Sequence, residues 1–207
     1  MVDFSSAWTG AVGRPPPADL QVALWSAWSA SNRTYHGISH LSDGLSRIDA
    51  VAASLVWPDE VRVAWWFHDA IQDPGASDNE ARSAAWARSA LLSGGARPET
   101  IARVGGWIEG TRRHLAPACE DEAVLYDVDL SVLAADGAAY DRYAAGVRQE
   151  YAFVPDEVWR AGRASFLRGL LERPRIFASR AFEGLDSLAR ANLAREVSAL
   201  GEAGSPG

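Results

Sequence analysis

The segment DEVRVAWWFHDAIQDPG, residues 59–75, decides the fold. Its Val61, Ala64, Trp65 and His68 recur at three- and four-residue spacing, which is the period of one helix face. Asp73-Pro74-Gly75 is a turn signal, so a helix is predicted from about Asp59 to that turn. The spacing puts His68 on the buried face with Asp69 beside it. A buried imidazole next to a carboxylate needs a partner. For a His-Asp pair taken alone a backbone carbonyl serves, and a metal ion serves both groups at once.

The same period extends in both directions from this segment. Upstream it predicts a helix capped by Asp19 and carrying Leu20, Leu24 and Trp28, and another holding Leu41, Leu45, Ile48 and Leu55. Downstream, Ser77-Asp78-Asn79-Glu80 has the form of a capping box, and further helices are predicted at about 98–114, 121–134, 136–151, 156–173 and 180–200. Strand-like alternation is nearly absent, so the expected class is all-α, a single helical domain over residues 19–200. Residues 1–18 are expected to form an N-terminal segment and 201–207 a flexible tail.

Composition narrows the function classes. The 207 residues carry a formal charge of −7, which argues against a nucleic-acid-gripping surface and leaves small phosphorylated ligands open. All 20 basic residues besides histidine are Arg. Without Lys there is no Schiff base, lysine general base or P-loop lysine. The single Cys119 cannot form an internal disulfide and reads as incidental. The opening MVDFSSAW has no basic region followed by an apolar run, and no later run reaches bilayer length. A cytoplasmic protein without membrane association is the expectation. A homodimer is compatible with the sequence.

Four histidines carry most of the information. His36 and His40 stand four residues apart in NRTYHGISHL, and on a helix Arg33, His36, His40 and Arg47 form a polar stripe beside the apolar one. In LYDVDLSVLA a helical wheel groups Leu125, Val128, Asp129 and Val132, so Asp129 is expected to face the core and Asp127 to face away. An unpaired buried carboxylate costs several kcal/mol, and a cation relieves it. His40, His68, Asp69 and Asp129 together mix nitrogen with hard oxygen donors, a set that suits Mn, Fe, Co, Ni, Mg or Zn. Arg33, Arg112 and Arg148 are candidate phosphate contacts, since guanidinium forks match phosphate oxygens, with structural ion pairs as the competing role. The stripe Tyr140, Tyr143, Val147 and Tyr151, like the nine Trp residues, reads as packing rather than as a base-stacking platform.

The ordered series His40, His68-Asp69 and Asp129 resembles the H…HD…D pattern of the HD phosphohydrolase superfamily. More narrowly, RTYHGISHL, WWFHDAIQDP, DNEARSA, GTRRH, DVDLSVL, VRQEY and ARANLARE, spanning Arg33 to Glu196, resemble a bacterial family of metal-dependent HD-type phosphohydrolases. The resemblance implies an HD-type helical bundle around a divalent metal held by His40, His68, Asp69 and Asp129. It also implies hydrolysis of a phosphomonoester or phosphoanhydride of a small metabolite or nucleotide, with metal-activated water as nucleophile. Alarmone-cleaving relatives carry HDxxED, whereas this chain reads HDAIQD, with Gln72 at the Glu position; Asp73 or Glu80 is then the candidate base. His36 is a candidate proton donor, or an alternative first metal ligand. His114, like Arg33 and Arg148, is a candidate substrate contact. His36 and His114 are also the only histidines that a second metal can draw on. Two other readings of the resemblance are a di-iron oxygenase and a non-catalytic nucleotide-binding module.

Overall fold

Helix α4, Pro58–Phe67, explains the architecture, because it is buried on every side. A helix with no polar face belongs in the middle of its domain. In the computed structural model, which describes residues 3–202, α4 packs against α1 (Phe4–Val12), α3 (Ile38–Val51), α5 (Asn79–Ser93), α6 (Pro98–Gly110) and α7 (Glu120–Leu130). Its two buried charged residues are paired. Glu60 accepts hydrogen bonds from Thr100 Oγ1 and the Arg103 guanidinium, and Arg62 is held by Asp49 and Asp59. The remaining helices are α2 (Ala18–Trp28), α8 (Gly137–Glu150), α9 (Asp156–Leu171) and α10 (Asp186–Glu202). The described residues contain ten α-helices, three short 3-10 turns and no strand, as the all-α expectation requires. Among the described residues no helix is long and apolar enough to cross a membrane.

The folded core begins earlier than Asp19. Phe4, Ala7 and Trp8 lie on one face of α1, are fully buried, and pack against α4, with the Phe4 ring 5.4 Å from that of Trp66. Asp3 caps this helix by accepting from the Ser6 N–H. Two helical turns give too short a periodic stretch to stand out in sequence. Other boundaries differ for local reasons. The α2 cap position is Pro17, with Asp19 inside the first turn, and Asp78 precedes α5 without a side-chain capping bond. At the other end α10 runs through residues 201 and 202, and the rest of the expected tail lies outside the described residues.

Two contacts aim α3 and α4 at a common point. Gly44 gives the close approach: a Cβ there would stand 2.0 Å from the Trp65 ring. Trp65 Nε1 then donates to the Leu41 carbonyl at 2.9 Å, locking α3 against α4 at the residue next to His40. Below them Trp28 of α2 donates to the Trp66 carbonyl.

Candidate metal centre

Where α3, the end of α4 and α7 meet, four donor atoms converge. His40 contributes Nε2 from the first turn of α3, and His68 contributes Nε2 from the C-cap position of α4. Asp69 follows in the next turn, and Asp129 comes from the last turn of α7. His40 Nε2 lies 3.3 Å from His68 Nε2 and 3.3 Å from Asp129 Oδ1, and His68 Nε2 lies 3.2 Å from Asp69 Oδ2. The cross distances are 3.8 Å for His40 to Asp69 and 3.7 Å for His68 to Asp129. Neighbouring donors around one divalent ion, each about 2.0–2.2 Å from it, stand roughly 3–3.5 Å apart. The donor set therefore fits a shared cation, and all four atoms lie within 4.8 Å of one another.

The protonation pattern favours the same partner. His68 Nδ1 lies 2.8 Å from the Trp65 carbonyl, which can only accept, so Nδ1 carries the proton and Nε2 is left to face the cluster. Trp65 stacks on this ring at 4.0 Å and closes it from water. Burial pulls His68 down, but Asp69 and Asp129 outweigh it, and without a cation the imidazole rises to about 10. For His40 burial wins over Asp129, and the ring is lowered. Burial opposes ionisation of both carboxylates; His68 nevertheless holds Asp69, and His114, His40 and His68 hold Asp129, below the usual range. Two ionised carboxylates facing two imidazole nitrogens make a site of negative potential, which a divalent ion neutralises.

His36 reaches the site, but not as a helix neighbour of His40. It lies in the turn before α3, whose N-cap is Gly37, so the expected stripe from Arg33 to Arg47 is interrupted. Glu150 of α8 fixes it: one carboxylate oxygen accepts the N–H groups of Tyr35 and His36, and the other holds His36 Nδ1 at 2.6 Å. Glu150 carried no signal of this role beyond its place in VRQEY. The α4 helix also ends at Phe67 rather than near Asp73. Arg33 stabilises that early ending by donating to the carbonyls of Asp69 at 2.6 Å and Ala70 at 2.9 Å.

A cavity of about 590 Å3 opens onto the cluster, lined at this end by His36, Asp69, Gln72, Glu80, His114 and Asp129. Other expected positions are displaced from it. Asp73 is exposed, caps its own turn by accepting from Gly75 N–H, and does not line the cavity. Arg33 is committed to backbone carbonyls. Arg148 donates to the Tyr151 and Val154 carbonyls and braces the α8–α9 turn, so neither guanidinium is a cavity-lining group. Arg112 does line the cavity, and its guanidinium makes no hydrogen bond or ion pair with a described residue. Asp127, expected to face away from the core, is buried, and it accepts from Ala178 N–H and from the N–H and hydroxyl of Ser179. Helix α7 is covered on all sides, so the wheel cannot separate its two aspartates.

His114 is held in an unusual backbone conformation. Its φ is 49°, in the left-handed region, as is that of Ala116. Arg173 donates to its carbonyl at 3.0 Å, and its Nε2 lies 2.7 Å from Asp129 Oδ2. Comparison with known protein families, characterised proteins and solved structures gives no match, so what this centre does is read from its own geometry.

Proposed function

We propose that the chain is a metal-dependent phosphohydrolase of the HD type, cleaving a phosphomonoester or phosphoanhydride of a small molecule. The observation that carries this reading is the convergence of His40, His68, Asp69 and Asp129 on one point at the end of a cavity large enough for a small ligand. A divalent ion bound there supplies Lewis acidity toward a phosphoryl oxygen and lowers the pKa of a coordinated water.

The surrounding residues divide the remaining work. Arg112, the cavity-lining guanidinium without a partner among the described residues, binds phosphoryl oxygens. Glu80, on the cavity wall at the start of α5, takes the place of Asp73 as the candidate base. His36 has its Nδ1 held by Glu150. Burial lowers this imidazole, but the Glu150 bond and nearby carboxylates raise it overall, so it retains a proton for the leaving group. Gln72, where alarmone-cleaving relatives carry Glu, has its amide nitrogen 3.3 Å from His36 Nδ1 and cannot act as a base.

The test is turnover of a panel of phosphomonoesters and phosphoanhydrides by chelator-stripped protein before and after adding back each divalent metal. The proposal requires activity that returns with metal and is absent in Asp129→Ala. Undiminished turnover by stripped protein rejects it.

A further inference from the structure

The cavity has a second end of different chemistry. Beyond the metal cluster its walls are formed by Val147 of α8, by Tyr151 at the C-cap of that helix, and by Val158, Trp159 and Phe166 of α9. In α9, Val158, Trp159, Gly162 and Phe166 share one face at helical spacing. That face is not sealed by protein: Val158 is 61% exposed and Phe166 49%. Large apolar side chains grouped on an open cavity wall are the mark of a surface that an apolar ligand covers.

The charged group on this wall is already occupied. Arg163 is bonded to Glu196 at 2.8 and 3.1 Å and to the Tyr143 hydroxyl at 3.2 Å, so its charge is neutralised within the protein. Tyr151 and Trp159 lie with ring centroids 5.3 Å apart and give the wall a rigid aromatic corner. Gly162 also lines this wall, and a Cβ there would meet nothing within 4 Å. A glycine inside a helix costs about 1 kcal/mol relative to Ala, and at this lining position it adds no side chain to the wall.

We infer that the α8–α9 end of this cavity binds the apolar body of the substrate, so that the ligand class is a phosphoester of an aromatic or branched hydrocarbon alcohol. The inference builds on the phosphohydrolase reading for its phosphoryl half only; the apolar half rests on the α8–α9 wall. A ligand of this class places its phosphoryl group by the metal cluster and Arg112, and its hydrocarbon body against Val158, Trp159 and Phe166.

Equilibrium binding separates the two halves. Metal-loaded protein is titrated calorimetrically with methylphosphonate, with 1-naphthylmethylphosphonate and with 1-naphthol, in wild type, Gly162→Leu and Val158→Asp. Both substitutions are at exposed α9 positions away from the metal cluster. The expected result is binding of the naphthyl phosphonate at least about tenfold tighter than methylphosphonate, with the ratio falling toward one in both variants and methylphosphonate unchanged. Equal binding of the two phosphonates by wild type, or a ratio that neither substitution alters, overturns the inference. Binding of 1-naphthol that both substitutions abolish, without binding of either phosphonate, upholds the apolar end and rejects the phosphoryl chemistry.

Discussion

His114 Nε2 donates to Asp129 Oδ2 at 2.7 Å, and this bond determines which oxygen of the carboxylate, Oδ1, faces His40 and His68. A residue in a left-handed backbone conformation, braced through its carbonyl by Arg173, thus orients a candidate metal ligand from outside the ligand set.

His114→Asn should therefore weaken metal binding while leaving the fold intact. Asn tolerates the left-handed conformation, but its side chain is too short to reach Oδ2. Losing an orienting partner of this kind costs about 10–100-fold in metal affinity. Metal titration of the folded variant checks it, and an unchanged affinity would show that Asp129 needs no such support.

Gly44→Ala should damage both stability and the site. The added methyl would stand 2.0 Å from the Trp65 ring, which cannot swing away without breaking its bond to the Leu41 carbonyl and its stacking on His68. Overpacking of this kind costs roughly 1–3 kcal/mol. Chemical denaturation with a metal titration alongside should show both losses; a loss of stability with no change in metal affinity would separate Gly44 from the site.

The His36–Glu150 pair should give the metal-free protein a pH-dependent component of stability. Burial raises Glu150, but its bonds to His36 and to the Tyr35 and His36 N–H groups outweigh it and leave it lowered from 4.5, so its contribution is present above that value and lost as pH falls through the depressed one. His36 is raised from 6.5, so its contribution is present below that value and lost as pH rises through the elevated one. The pair thus contributes fully between those two ordinary values. Glu150→Gln should remove about 1–3 kcal/mol there and flatten both limbs of the profile of unfolding midpoint against pH. Parallel profiles for variant and wild type would contradict this.

The arginines should separate by function. Arg112→Ala is expected to leave stability within about 0.5 kcal/mol of wild type, as for an unpaired surface group, while weakening inorganic phosphate binding by metal-loaded protein about tenfold. Arg33→Ala should instead destabilise, because three carbonyls, those of His36, Asp69 and Ala70, lose their donor. Thermal unfolding and phosphate titration of the two variants distinguish the roles; the reverse pattern would exchange them.

Much of this was legible in sequence because it depends on local periodicity. The 3.6-residue spacing around Val61 to His68 located α4, and four ligand candidates on three predicted helices proved to converge. What was not legible depends on where the chain departs from that spacing or on partners distant in sequence. A helical wheel carried past Phe67 or back before Ile38 misplaces Asp73 and the relation of His36 to His40, since neither segment is helical. Asp127 and Asp129 cannot be told apart on a helix that is buried all round. Arg33 and Arg148 found backbone carbonyls within reach of their long side chains, and no spacing rule reveals such carbonyls. Glu150, some 114 positions from His36, became part of the site through packing alone.

The central claim is that four side chains share one divalent ion. Chelator-stripped protein titrated with Mn, Fe, Co, Ni, Mg and Zn, with bound metal counted by elemental analysis after gel filtration, tests it most directly. One equivalent of at least one of these metals per chain is predicted, with stoichiometric retention lost in folded Asp129→Ala and His68→Ala. Wild type that retains none of them, or variants that retain the same metal as tightly as wild type, would contradict the account.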